Sequence, residues 1–144
     1  MKNKKGFTLI ELLAVIAILA ILVVLTVPNI LGMFNKGKVS AFVTQAKQIF
    51  DSVEASYTTD MIDGGEVSLT YCNDGTKSLP EGVSVSSDNK VKYFVTINSE
   101  GKITKFQISD GTYGYNLTTS VEKKDITDKP LTGTALPAIS PCVK

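Results

Sequence analysis

The chain has 144 residues, 43 % of them hydrophobic, and a formal net charge of +1. That length supports one modest domain plus an appendage, and the near-neutral balance is not that of a nucleic-acid-binding protein. With no histidine in the sequence, the usual general base and the usual zinc ligand are missing. No serine–base, cysteine–base or P-loop arrangement is present either. An enzyme is therefore not expected, nor a metal or other cofactor.

Residues 1–6, Met-Lys-Asn-Lys-Lys-Gly, make a short basic leader. Residues 12–25 are then uninterruptedly apolar, and only Thr8, Glu11 and Thr26 break residues 7–27. About 20 apolar residues span a bilayer core, and Lys2, Lys4 and Lys5 place the leader on the cytoplasmic side. Glu11 is the anomaly. A charge inside a spanning helix is costly and calls for a partner, yet no lysine lies within residues 7–31. A cut between Gly6 and Phe7 would create a cationic amine one helical turn away, and a helix N-terminus itself favours a carboxylate. A secretory signal would place a small-x-small cleavage site after the apolar run, where this chain reads Leu25-Thr26-Val27-Pro28-Asn29-Ile30. An ordinary uncleaved anchor leaves Glu11 unexplained.

The segment Lys4-Lys5-Gly6-Phe7-Thr8-Leu9-Ile10-Glu11-Leu12-Leu13 resembles the leader and N-terminal core of type IV pilins, a likeness that covers residues 1 to about 60. The resemblance implies that a prepilin peptidase cuts after Gly6 and N-methylates Phe7. It also implies that the subunit waits in the cytoplasmic membrane as a single-pass precursor and then enters a helical surface filament. Further implied partners are an assembly ATPase, a membrane platform protein and other copies of the chain. The arginine-free leader and the Thr-Val-Pro-Asn-Ile-Leu continuation look like Gram-positive members.

Downstream, Val39, Phe42, Val43, Ala46, Ile49, Phe50, Val53 and Tyr57 recur at steps of three and four, the stripe of an amphipathic helix. That helix should end near residues 60–63, before Gly64-Gly65. Pro28, Gly32 and Gly37 are weak points between the apolar and amphipathic halves. A passive kink at the membrane surface is one reading of Pro28 and Gly32. The resemblance, since pilins carry a proline near this place, favours a hinge or local melt when subunits pack.

Residues 66–71, 91–98, 102–109 and 113–117 read as strands, and Asp110-Gly111 as a hairpin turn. The last three form an antiparallel meander whose inner face covers the amphipathic stripe. Ile103, Phe106 and Ile108 lack strict parity, which predicts a bulge. From Ser120 on, Pro130, Pro137 and Pro141 predict an irregular tail. Residues 130–134 lack the residue order of a sortase signal.

The expected fold is α+β, a long N-terminal helix packed on a small antiparallel meander. Its parts are a leader (1–6), an apolar transmembrane or filament-core helix (7–35), an amphipathic helix (36–62) and a β head (63–144). Cys72 and Cys142 both fall outside the membrane, where an even count suggests a bridge. Two separate buried thiols remain the alternative, and the resemblance favours the bridge.

The function implied is that of a major pilin serving adhesion, motility or biofilm formation. A competence pilin for DNA uptake and a type II secretion pseudopilin are the alternatives. Lys90, Lys92, Lys102 and Lys105 could present a basic face to DNA, although a solvated edge is the plainer reading. Asp60, Asp63, Asp74, Asp88 and Asp110 lack the spacing of a calcium loop and read as turn formers and caps.

Overall fold

The computed structural model describes residues 6–64, 69–75, 78–79 and 90–142. The chain divides into two compact units, Met1–Lys38 and Val39–Lys144. Helix α1 (Leu9–Ile62) contributes to both.

In the first unit α1 is helical throughout, Pro28 included. Its apolar side chains are all exposed, from Leu9 and Ile10 through Leu19 and Leu22 to Met33 and Phe34. Such an all-round apolar surface is stable only against lipid or against other apolar helices. This is the one helix, among the described residues, long and apolar enough to cross a membrane.

The second unit is an α+β head. Phe42, Ala46, Ile49, Phe50, Val53 and Tyr57 are the buried face of its helical part, the stripe predicted from the spacing, with Val39 only half-buried at its start. The helix ends at Ile62, and Gly64 at φ +65° takes the left-handed conformation that stops it.

Against this face lies an antiparallel sheet. Its strands are β1 (Thr70–Asn73), β2 (Ser78–Leu79), β3 (Lys92–Ile97), β4 (Ile103–Ser109), β5 (Tyr113–Thr118) and β6 (Leu131–Thr132), in spatial order β2-β1-β3-β4-β5-β6. The predicted meander is β3-β4-β5, and three more strands extend it. The first strand starts later than residue 66 among the described residues, because β1 opens at Thr70; residues 66–68 and Asp88 lie outside them. The tail is less irregular than its prolines suggest, since Leu131 pairs with Gly114 and Thr132 with Tyr113. A two-residue strand leaves no alternation to read.

Register explains the lost parity of β4. Thr96 pairs with Lys105 but Ile97 pairs with Ile103. Thr104 is the extra residue of a bulge, which returns Ile103 to the face shared by Phe106 and Ile108. That inner face, with Tyr71, Tyr93, Val95, Ile97 and Tyr115, closes the core over the helix. The Phe50 and Phe106 rings are tilted with centroids 5.8 Å apart, and Phe42 stacks on Tyr115 at 5.7 Å.

The turns are set by side chains. Asn98 Oδ1 accepts the Glu100 and Lys102 N–H groups, and Asp110 Oδ1 accepts those of Thr112 and Tyr113. Gly101 is required twice over: its φ is +79°, and a Cβ would meet the Tyr57 ring at 3.0 Å.

Tyr71 is fully buried and donates its hydroxyl to Asp60 Oδ2 at 3.2 Å. Burial first, and then the Asp60 charge, push its phenol up to about 12. The unfolded phenol titrates near 10. The stability owed to the neutral phenol is therefore complete below about pH 10 and is lost as pH rises toward about 12. Alkaline unfolding followed by tyrosine absorbance should show a falling slope in that window, and Tyr71→Phe should flatten it.

Candidate functional site

The residues singled out by the sequence occupy two places. Gly6, Phe7 and Glu11 lie at the start of the apolar unit; Cys72 and Cys142 lie in the head. Pro28 and Gly32 sit inside α1, which is helical through both in the isolated chain. Phe7 is 92 % exposed and Gly6 is also exposed, so the bond between them is open on the surface of the chain.

Glu11 is not left alone. Thr8 precedes the first helical residue, Leu9, and Glu11 is the third residue of the helix. Glu11 Oε2 accepts the Thr8 backbone N–H at 2.8 Å and the Thr8 hydroxyl at 2.8 Å. The Glu11 N–H donates back to Thr8 Oγ1 at 3.3 Å. This is a reciprocal capping box. Thr8, whose role as cap the Thr-x-x-Glu spacing at residues 8–11 signals, is the residue of this end that the sequence analysis does not single out. An uncleaved chain therefore does explain Glu11 in part, as the cap of its own helix.

Thr26 behaves in the same self-contained way. Its hydroxyl donates to Leu22 O at 3.0 Å and lies 3.2 Å from Val23 O. All three polar interruptions of residues 7–27 thus direct their side-chain hydrogen bonds into their own helix. This is the arrangement that an apolar surroundings demands. Thr8→Ala removes one half of the box. Amide exchange at residues 9–12 in micelles is expected to quicken roughly three- to thirtyfold, the range of a lost N-cap.

In the head, Cys72 of β1 and Cys142 form a disulfide with Cα atoms 5.9 Å apart. Both cysteines are buried. Asp74 Oδ2 accepts the Cys142 N–H at 3.4 Å. The acidic residues hold structure: Asp60 accepts from Tyr71, Asp74 from Cys142 and Asp110 from its own turn. Among the described residues no group of three or more metal-ligating side chains converges.

Lys102 and Lys105 have partners within the head. Lys105 Nζ donates to Ser140 Oγ at 2.9 Å and sits 5.0 Å from the centre of the Phe94 ring. Lys102 lies 3.9 Å from Glu100.

Residues 1–27 match the family model described as the prokaryotic N-terminal methylation motif. No curated protein and no solved structure matches the chain. This motif and the long apolar N-terminal helix fit a membrane-anchored precursor. The chain carries, at residues 1–27, the prepilin leader signature of type IV pilin-like and pseudopilin-like proteins.

Proposed function

We propose that this chain is the major structural subunit of a type IV pilus, a surface filament for adhesion, motility or biofilm formation. The observation that carries the reading is the exposure of the apolar side chains of α1 from Leu9 to Phe34, on a chain whose residues 1–27 match the N-terminal methylation motif. In the membrane, lipid covers that surface. In a filament, the same surface of other copies covers it, and each buried aliphatic side chain contributes about 1.5–3 kcal/mol. Identical subunits joined by a heterologous contact extend into an open helix rather than a ring.

Glu11 sets the step of that helix. Cleavage after Gly6 frees the Phe7 amine, which is then N-methylated and remains cationic. In a dry bundle Glu11 pairs with the Phe7 amine of a neighbouring subunit, and a subunit at the wrong height leaves both charges unpaired. Pro28 and Gly32 give the hinge at which α1 loosens during packing, since Pro28 withholds one backbone N–H from the helix ladder. Prepilin peptidase, an assembly ATPase and a platform protein complete the machinery.

Processing tests the reading. A bulky residue before the cut, Gly6→Val, is expected to leave the chain at precursor mass in the membrane, with no fibres by electron microscopy. Fibres of normal number built from uncut Gly6→Val chain would refute it.

A further inference from the structure

The apolar core of the head holds residues from Phe42 to Ile126 and none of residues 127–142. The last described segment lies on the other side of the sheet. Cys72, Phe94, Gln107, Asn116 and Gly114 have the opposite parity to the core residues, and they form this outer face. The chain enters it from the short 3-10 turn Gly133–Ala135.

Its seats are few. Gly114 is buried there, and a Cβ would stand 2.6 Å from Pro137 Cδ and 3.1 Å from Leu136 Cδ2. Gln107 Oε1 accepts the Ser140 N–H at 3.2 Å and the Ser140 hydroxyl at 2.9 Å. Lys105 donates to the same hydroxyl. At the end stands the Cys72–Cys142 bond. A handful of hydrogen bonds has a small net value against the backbone entropy of ordering the segment. The covalent bond removes most of that entropy by keeping the end in place.

We propose that residues 136–142 are a strap locked by oxidation and released by a dithiol, while the core beneath stays folded. In the release a dithiol gives up two electrons and two protons; its sulfurs close into a disulfide, and Cys72 and Cys142 become thiols. Departure of the strap frees the Gln107 side chain, now 7 % exposed, from Ser140. It also removes one wall, built by Pro137, Ile139 and Pro141, of an open groove whose other residues include Asp74, Lys92 and Asp110. Oxidised and reduced subunits thus present different outer faces.

Hydrogen exchange on the full chain in micelles tests this, with the disulfide intact, with the thiols freed by dithiothreitol and alkylated, and with Cys142→Ser. Amides of residues 136–142 are expected to exchange at least about tenfold faster in both open forms. Those of β3, β4 and β5 should change less than about threefold. Unchanged protection of 136–142 after reduction overturns the proposal, because the strap then holds without its lock. Equal loss of protection in β3–β5, or failure of Cys142→Ser to fold, overturns it too, because the bond then supports the core itself.

Discussion

Glu11→Ala is expected to leave a membrane protein that is still cut after Gly6 but yields about a tenth or less of the normal filaments. The size follows from the cost of a buried charge whose partner has been removed, here the neighbour's amine. The capping box makes the experiment sharper. Glutamate and glutamine both serve as its third residue, so Glu11→Gln keeps an acceptor for the Thr8 N–H and hydroxyl while losing the charge. If pairing with the neighbouring amine sets the step, Glu11→Gln assembles as poorly as Glu11→Ala. If Glu11 serves only its own helix, Glu11→Gln assembles normally and Glu11→Ala does not. Filament mass sheared from equal numbers of cells, with membrane levels of processed chain as control, separates the two.

The second large effect belongs to the head. Phe106→Ala should destabilise it by about 3–5 kcal/mol, the range for deleting a fully buried aromatic ring. Phe106 is wholly inaccessible, contacts Phe50 and lies where the bulge returns β4 to the core face. Against a domain stability of about 5–15 kcal/mol, that loss lowers the melting temperature on the order of 20 °C. Near-ultraviolet circular dichroism of the full chain in micelles reads it. Leu19→Ala is the matched control. Leu19 is 53 % exposed in the first unit, so the head transition should move by less than about 0.5 kcal/mol.

What the sequence disclosed depended on the length of the pattern. The apolar run, the stripe from Phe42 to Tyr57 and the alternation of Tyr93, Val95 and Ile97 repeat often enough to be read, and each has its predicted place in the fold. The helix stop at Gly64 and the turn at Asp110-Gly111 were legible from chemistry alone, through a positive φ in one case and an Asx acceptor in the other. The bulge was visible as broken parity in β4, but its position needed the partner strand. Strands β2 and β6 have two residues each and no period. That the tail is tied down at Cys142 was legible in the sequence, but its course across the outer face was not. The strap is held by Gly114, Gln107 and Lys105, residues whose roles depend on a segment more than twenty positions away. Thr8 is different: its pairing with Glu11 is local, and the spacing stated it.

The most direct measurement is intact-mass and peptide mass spectrometry of filaments sheared from the cell surface. This account predicts that the chain dominates them and begins at methylated Phe7, with Cys72 and Cys142 together two hydrogens lighter than free thiols. A chain that keeps its Met1, stays solitary in the envelope and is absent from the sheared fibres would contradict it.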